Sequence, residues 1–338
     1  MIIDVHNHFY PPEYLAALES GDSLITLTVD EDGNPCIHYP GDYNVCVPGH
    51  RDIEYRHREL EREGVDTQVL SLTTPGTHIE PPARAVRLAR LVNDAFARIV
   101  GERSPRFGAL ATLPLCDPAA SVAELRRAVE DLSFPGAMLF SNVNGVPLAD
   151  ARFEALWAEA DRLGATMHIH PTNPVNVEAM EQYWLMPLVG FLFDTTLAAA
   201  HLVFAGVPDR YPNIRWVLGH LGGAIPYLGE RLDRGWRSFP DCRTRIDRPP
   251  TEYLREFYYD GVNFDPAAIR LAVDFAGASH VMAASDYPHQ IGSLRLMKES
   301  IAAANVSDAE RQLIAAENAA RVYAPRRTSP AAGLAARV

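Results

Sequence analysis

Short apolar runs alternate with amphipathic stretches along almost the whole chain. Each run is five to seven residues long and rich in Val, Ile, Leu and Phe, a composition typical of buried strands. We therefore predict eight strands, at residues 2–6, 67–72, 107–113, 136–140, 165–170, 214–220, 257–261 and 281–286.

The segments between these runs have the period of α-helices. Residues 82–102 are the clearest case, because Ala85, Leu88 and Val92 recur at helical spacing. The predicted helices span 54–63, 82–102, 118–132, 150–163, 187–207, 222–237, 266–276, 294–304 and 308–323.

This alternation predicts an α/β protein with a parallel sheet covered by helices. Two folds fit it, a closed (β/α)8 TIM barrel and an open doubly wound sheet. A length of 338 residues suits one barrel with insertions. We expect residues 1–324 to form a single barrel domain and residues 325–338, rich in Pro, Arg and Ala, to form a flexible tail.

One segment interrupts the alternation. Residues 24–29 and 36–39 alternate polar and apolar side chains, and they flank an Asp-Gly pair, which is typical of a hairpin. We predict that residues 21–51 form a small β insertion after the first strand, near the mouth of the barrel.

The composition narrows the possible partners. With a net charge of −12, the chain has no electrostatic reason to bind nucleic acid or an anionic membrane surface. The four cysteines form no CxxC pair, so neither a disulfide framework nor a thiolate zinc site is expected. The N-terminus lacks the pattern of a signal peptide, and no apolar run approaches the ~20 residues that cross a bilayer. We therefore expect a cytoplasmic protein.

Candidate chemistry begins in the first predicted strand, which ends near His6 and His8. Residues two apart on a strand point to the same face, so both imidazoles would be directed into the barrel. Burying two histidines side by side is costly unless they are hydrogen-bonded or bind a metal.

Three further predicted strands end in similar residues. His168 and His170 close the fifth, His220 the sixth and Asp286 the eighth. In a barrel these ends converge on one mouth, whereas in an open sheet they would be spread along an edge. This convergence favours the barrel and predicts one divalent metal ion, with Zn²⁺ expected and Mn²⁺ as the alternative.

The order of these motifs resembles the amidohydrolase superfamily. The shared features are HxH near the N-terminus, His-Pro after the fifth strand, Gly-His-x-Gly-Gly after the sixth and Ser-Asp-Tyr-Pro after the eighth. More narrowly, the chain resembles aminocarboxymuconate-semialdehyde decarboxylase and related non-oxidative aromatic acid decarboxylases. Segments such as SLTTPGTH and HLGGAIPYLGERLDRG add to this resemblance, which extends to about residue 323.

The resemblance implies a role for each matching residue. His6, His8, His170 and Asp286 would bind the ion, and His220 would act beside it as an acid or base. Trp184 matches a tryptophan that lines the substrate pocket. Arg231 matches an arginine that family dimers present to the neighbouring subunit's substrate, so a homodimer or higher homo-oligomer is implied.

The chain departs from the family pattern in three places. In the insertion of aminocarboxymuconate-semialdehyde decarboxylase, an arginine holds a carboxylate of the substrate. Near the matching stretch this chain has Val47, and Arg51 is the nearest residue that could take over that role. His289 follows Asp-Tyr-Pro, where an aromatic residue is usual, and is either a substrate contact or a loop residue. His168 replaces an apolar residue, and is either a satisfied interior histidine or part of a second metal site. His50 and His78 also lie in loops near the predicted mouth.

Two chemistries fit these residues. In the first, which the resemblance favours, Asp286 or a metal-bound water assisted by His220 protonates the carbon that carries a carboxylate, and CO2 leaves a small aromatic or muconate-like acid. In the second, a metal-activated water hydrolyses a lactone, an amide or a C–C bond, or hydrates a double bond.

Overall fold

The computed structural model describes residues 1–19, 23–174 and 177–324. The expected tail, 325–338, lies outside the described residues. The strands are β1 (Ile3–His8), β2 (Thr26–Val29), β3 (Pro35–Tyr39), β4 (Asp42–Val45), β5 (Thr67–Ser71), β6 (Phe107–Ala109), β7 (Gly136–Phe140), β8 (Asn142–Val143), β9 (Val146–Pro147), β10 (Thr166–His170), β11 (Arg215–Leu218), β12 (Tyr258–Asp260) and β13 (Val281–Met282).

Eight of these strands form a closed parallel barrel. Strands β1, β5 and β6 make one sheet, and β7, β10, β11, β12 and β13 make the other, in that order. A parallel bridge between Ala111 and Ala137 joins the sheets on one side, and a bridge between Asn7 and Tyr287 joins them on the other. The predicted (β/α)8 barrel is thus confirmed, and the open sheet is excluded because both edges are paired.

Each predicted strand coincides with a barrel strand, but three end two or more residues earlier than expected. The strand β6 ends at Ala109 instead of residue 113, and two others stop before a candidate site residue. The strand β11 ends at Leu218 and β13 at Met282, before His220 and Asp286. Both of these residues have a φ of 54°, in the left-handed region that an extended strand excludes. Each side chain therefore lies on a turn just beyond its strand.

Helices cover the outside of the barrel. The predicted helix at 308–323 contains a π turn, Leu313–Glu317, between two α-helical parts. The α-helices are α1 (Pro12–Glu19), α2 (Pro48–Arg51), α3 (Ile53–Glu63), α4 (Pro82–Arg103), α5 (Pro118–Glu130), α6 (Glu154–Leu163), α7 (Phe191–Phe204), α8 (Val207–Arg210), α9 (Ile225–Ser238), α10 (Pro250–Leu254), α11 (Pro266–Ala276), α12 (Leu294–Ala303), α13 (Asp308–Gln312) and α14 (Asn318–Val322).

Apolar side chains fill both the barrel and the layer around it. The main core lies between strands and helices, where α4 buries Leu88, Val92 and Phe96. A second cluster contains Met138 and Val217, which the strand register places beside His168 on the same face. This cluster lies deeper in the barrel than the polar residues at the C-terminal ends of the strands, and those residues pack on top of it.

The predicted hairpin forms, and it contains one strand more than expected. Strands β2 and β3 pair antiparallel, and β3 pairs with β4, whose residues reach the barrel mouth. The start of the predicted insertion, at residues 21 and 22, lies outside the described residues.

One helical segment is more apolar than the sequence analysis expected. By length and composition, the segment Gln182–Phe204 is long and apolar enough to cross a membrane. Within it, 44% of an apolar stretch of 18 residues is buried inside the protein. It contains the buried Asp194, which accepts hydrogen bonds from Ser141 and Asn142 of the barrel. Core helices pass the same composition test, and these bonds tie the segment to the barrel. The cytoplasmic location stays a prediction.

Candidate metal centre

Four side chains from three strands meet at the C-terminal mouth of the barrel. His6 and His8 lie on β1, His170 ends β10, and Asp286 follows β13. All four are buried, and one ligand atom from each lies within 4.8 Å of the others. The structure thus brings together the four residues expected to hold the ion.

The hydrogen bonds around the cluster orient its imidazoles for a cation. His6 Nδ1 lies 2.5 Å from Asp260 Oδ2, and His170 Nδ1 lies 2.6 Å from the Pro171 carbonyl oxygen. Both Nδ1 atoms therefore donate, which leaves each Nε2 with a lone pair. His6 Nε2 then faces His8 Nε2 at 3.1 Å and Asp286 Oδ1 at 3.5 Å. Electron pairs this close repel unless a positive charge lies between them, so the donor set fits a divalent ion.

Burial and neighbouring charges set the protonation of the imidazoles. Burial and the neighbouring imidazoles hold the pKa values of His8 and His170 well below the ordinary value, which suits ligands that must be neutral. Burial opposes the charged form of His6 as well, but the Asp260 carboxylate outweighs it and raises the pKa of His6 to about 9. An ion bound at this site would take the place of that proton.

His220 lies beside the four residues, on the turn after β11. Its backbone N–H donates to Asp260 Oδ1 at 2.8 Å, and its Nε2 lies 4.0 Å from Asp286 Oδ2. Burial, followed by the charge of His6, lowers the pKa of His220 to about 4, so the ring is neutral at neutral pH. Its Nδ1 is buried and has no hydrogen-bond partner among the described residues. This geometry fits an acid–base role toward a bound molecule.

Asp260 is the site residue that the sequence analysis missed. It is fully buried at the end of β12 and contacts His6, His168 and His220. Burial opposes ionisation, but the His6 charge holds the pKa of this carboxyl well below its usual range. The available signal was an acidic residue ending an apolar strand, the same pattern that identified Asp286.

His168 lies one layer deeper, and both of its ring nitrogens have partners. Nε2 is 3.0 Å from Asp260 Oδ2, and Nδ1 is 2.9 Å from the Tyr323 hydroxyl oxygen. One ligand atom from each of His6, His168 and Asp260 also lies within 4.8 Å of the others, close enough to hold an ion. The complete set of hydrogen bonds favours the interior histidine over a second ion.

A cavity of about 400 Å³ opens above the cluster, a size that suits a small ligand. Trp184 and His289 line it, together with residues of β4 from the insertion. No lysine or arginine is among the described residues that line it. The cavity wall also includes His50, Thr73, His170, Phe191, His220, Phe264 and Asp286.

Two of the predicted substrate contacts lie elsewhere. Arg51 Nε donates to the Cys46 carbonyl oxygen at 3.1 Å, and its guanidinium also reaches Asn34 Oδ1 at 3.5 Å, within the insertion. Arg231 is exposed on α9. The structure therefore does not bring either arginine into the cavity of its own chain.

Three histidines predicted to lie near the mouth, His289, His50 and His78, differ in their surroundings. The His289 ring lies 4.7 Å from that of His8 and 5.0 Å from that of His50. His78 packs against Phe140, with ring centroids 4.6 Å apart, and does not line the cavity. His289 and His50 thus extend the row of imidazoles away from the candidate metal centre.

Comparisons with known proteins show which family the chain belongs to. The sequence profile of the amidohydrolase family matches residues 3–324. The 2-amino-3-carboxymuconate-6-semialdehyde decarboxylase of Dictyostelium discoideum is 37% identical over 246 residues, 72% of this chain and 68% of its own length. The 6-methylsalicylic acid decarboxylase of Penicillium expansum is 31% identical over 292 residues, 85% of each chain.

A solved structure extends the likeness to three dimensions. The dihydroxybenzoic acid decarboxylase from Polaromonas sp., with bound manganese and the inhibitor 2-nitroresorcinol, superimposes with a TM-score of 0.79. It is 26% identical, and the match covers 95% of this chain and 96% of that one. The chain belongs to the amidohydrolase family, in the branch of aminocarboxymuconate-semialdehyde decarboxylase and the related non-oxidative decarboxylases.

Proposed function

We propose that this chain is a metal-dependent carboxy-lyase that removes CO2, without oxidation, from a small aromatic or muconate-like carboxylic acid. One observation carries the proposal: a buried three-histidine, one-aspartate cluster, with His220 beside it, at the base of a cavity of about 400 Å³. The activities of its relatives support the same reaction.

We propose that His6, His8, His170 and Asp286 hold one divalent ion. Three imidazoles favour Zn²⁺, and the manganese bound by the Polaromonas relative supports Mn²⁺ as the alternative. When bound, the ion supplies positive charge that orients the substrate's carboxylate and its neighbouring hydroxyl or amino group.

Asp286 and His220 relay a proton from the solvent to the substrate. The ring of His220 is neutral at neutral pH, so it passes the proton on and does not store it. His220 Nε2 lies 4.0 Å from Asp286 Oδ2, so a small side-chain movement allows proton exchange between them. The proton is added to the carbon that bears the carboxylate. The bond from that carbon to the carboxylate then breaks, its electron pair restores the aromatic or conjugated system, and CO2 leaves.

The cavity wall suits a flat substrate. Trp184, Phe191 and Phe264 offer aromatic surface, and Leu188 and Ile291 add aliphatic surface. Trp184, Leu188 and Ile291 are 50% to 58% exposed, so a bound flat substrate would cover them and displace water from this part of the wall. The loss of water would strengthen the electrostatic interactions at the carbon that is protonated.

We also propose that a second copy of the chain covers one apolar face. Val189, Phe193 and Leu197 are spaced by four residues and form a stripe whose members are 43% to 57% exposed. Tyr227 and Arg231 have the same spacing on α9, and Tyr227 is 81% exposed. A homodimer would cover this stripe and could bring Arg231 to the partner's cavity, which lacks a cation of its own among the described lining residues.

A CO2-release assay tests the proposed reaction. The apo protein and the protein loaded with Zn²⁺ or Mn²⁺ would be incubated with hydroxybenzoic, dihydroxybenzoic and aminomuconate-type acids. We expect release from at least one acid, dependent on the metal and abolished by His220→Ala. Metal-loaded protein that releases no CO2 from any member of the panel would contradict the proposal.

A further inference from the structure

His50 is a buried polar side chain that the proposed reaction does not use. It lies on the short helix α2, where its N–H donates to the Val47 carbonyl oxygen at 2.8 Å and its carbonyl oxygen accepts from the Tyr10 N–H at 2.7 Å. The backbone is thus fixed on both sides. The side chain lines the cavity, and the residue is only 1% exposed.

Both ring nitrogens of His50 lack a hydrogen-bond partner within the described structure. Thr73 lines the same cavity, and no described residue gives its buried Oγ1 a hydrogen-bond partner. Buried polar atoms are rarely left unpaired, because the loss of hydration is then uncompensated. Since His220 is assigned to the proposed reaction, His50 and Thr73 are the remaining side chains of this kind among the described residues that line the cavity. Together they indicate a site for a polar group of a ligand.

This polar site is separate from the candidate metal centre. The ring of His289 lies between the two, 4.7 Å from the ring of the candidate ligand His8 and 5.0 Å from the ring of His50. A ligand group bound by His50 would therefore lie beyond the ring of His289, as seen from His8. We infer that it is a different group from the one that the ion would hold.

The chemistry of the site favours a hydroxyl group over a carboxylate. Burial holds the pKa of His50 well below the ordinary value, so the neutral ring offers one donor and one acceptor. The Thr73 hydroxyl also donates and accepts. A phenolic hydroxyl matches both, whereas a carboxylate only accepts and finds no lysine or arginine among the described lining residues.

We propose that His50, together with Thr73, selects substrates that carry a second ring hydroxyl, away from the group held by the ion. The inference rests on the proposed function and narrows its substrate class to dihydroxylated aromatic acids. With a methyl group or hydrogen in that position, the ring of His50 would have no hydrogen-bond partner on the substrate. A second carboxylate would lose its hydration there without a positive charge on the cavity wall to replace it.

The test compares substrates that differ only in the second substituent. Salicylate, the 2,3-, 2,4-, 2,5- and 2,6-dihydroxybenzoates, 2-hydroxy-6-methylbenzoate and 2-hydroxyisophthalate would be given to the metal-loaded wild type and to His50→Phe, His50→Gln and Thr73→Val. We expect one dihydroxybenzoate to exceed salicylate in kcat/KM by about 10- to 100-fold. His50→Phe should remove most of this preference, and His50→Gln, which still donates and accepts, should restore part of it.

His78→Phe is the matched control, because His78 is buried but does not line the cavity. It should leave the preference unchanged. A wild type that prefers salicylate, the methyl acid or the dicarboxylate would overturn the inference. So would an equal loss on all substrates in His50→Phe, since that result indicates a structural role only.

Calorimetric binding of the same acids to the Mn²⁺-loaded protein separates this inference from the proposed function. If no acid is decarboxylated, but the dihydroxybenzoate binds more tightly and His50→Phe removes the difference, then the proposed reaction fails and the hydroxyl site stands. If CO2 is released without any effect of His50 on the preference, the reaction stands and the hydroxyl site fails.

Discussion

The Nδ1 atom of His6 lies 2.5 Å from the Oδ2 atom of Asp260, and both side chains are fully buried. This contact fixes the orientation of His6 and directs its Nε2 toward His8 and Asp286. Asp260 belongs to a different strand from these three residues, so it ties the candidate metal centre to the far side of the barrel.

Replacing Asp260 should weaken metal binding. We expect Asp260→Asn to lower the affinity for Zn²⁺ or Mn²⁺ by about 10- to 100-fold, because the amide orients and polarises His6 less well than the carboxylate. Competition with a chromogenic chelator measures this affinity. Asp233→Asn is the control, since Asp233 is also buried but bonds only to Thr251 in the described structure. Equal affinity in Asp260→Asn and Asp233→Asn would contradict the role of Asp260.

The interior position of His168 gives a second prediction. Tyr323→Phe removes the hydroxyl that contacts His168 Nδ1 at 2.9 Å and leaves that buried nitrogen unpaired. The free energy of unfolding should fall by about 1–3 kcal/mol, as measured by denaturant titration. Metal analysis should still give one ion per chain. Unchanged stability, or a second ion per chain, would argue against the interior histidine. Tyr183→Phe, at a site that is 81% exposed, is the control.

Arg231 should act on the neighbouring subunit. If it serves the partner's cavity, Arg231→Ala and His220→Ala should each be inactive alone, yet regain activity when the two are unfolded together and refolded as mixed dimers. One site in each mixed dimer would then have both residues. A double variant with both substitutions, mixed with either single variant, should stay inactive. No recovery in a dimer verified by light scattering would refute this role.

The carboxylate of Glu159 predicts a pH dependence of stability away from the site. The hydrogen bond from Arg162, and then that from Arg126, outweighs burial and lowers the pKa of Glu159 to about 2 from an ordinary value of 4.5. Its contribution is therefore complete above about pH 4.5 and is lost as the pH falls through about 2. Glu159→Gln should be less stable than the wild type at about pH 7, with a difference that shrinks below about pH 4.5.

The control for this prediction is Glu256→Gln, which removes an exposed carboxylate paired with Arg248. Exposed pairs contribute about 0–1 kcal/mol, so this change should be small at every pH. A difference between Glu159→Gln and the wild type that grows on acidification would have the wrong sign.

Most of the barrel and the central cluster could be predicted from the sequence. His8, His170 and Asp286 could be recognised because each follows or ends an apolar run. A histidine or aspartate in that position is unusual, and here several predicted strands share it. Asp260 has the same pattern, an aspartate at the end of an apolar run, but the run around it does not show which face of the strand points into the barrel. The closure of the barrel and its pairing with His6 decide that.

The insertion shows the limits of local pattern. The β4 segment, Asp42–Val45, has little alternation of its own and becomes a strand because β3 offers it a free edge. Arg51 was expected near the substrate because of its position in the sequence. The turn of α2 instead directs its guanidinium to the Cys46 carbonyl oxygen, five residues earlier in the chain. That contact depends on the backbone conformation of the turn, which the residue types alone do not show.

The most direct test of the central claim is product analysis after reaction in D2O with the metal-loaded enzyme and the best acid of the panel. We predict one molecule of CO2 per molecule of acid consumed and a product with one deuterium on the carbon that carried the carboxylate, seen by NMR and mass spectrometry. A product that keeps every carbon and has gained the elements of water would instead show hydrolysis or hydration, and would contradict the account.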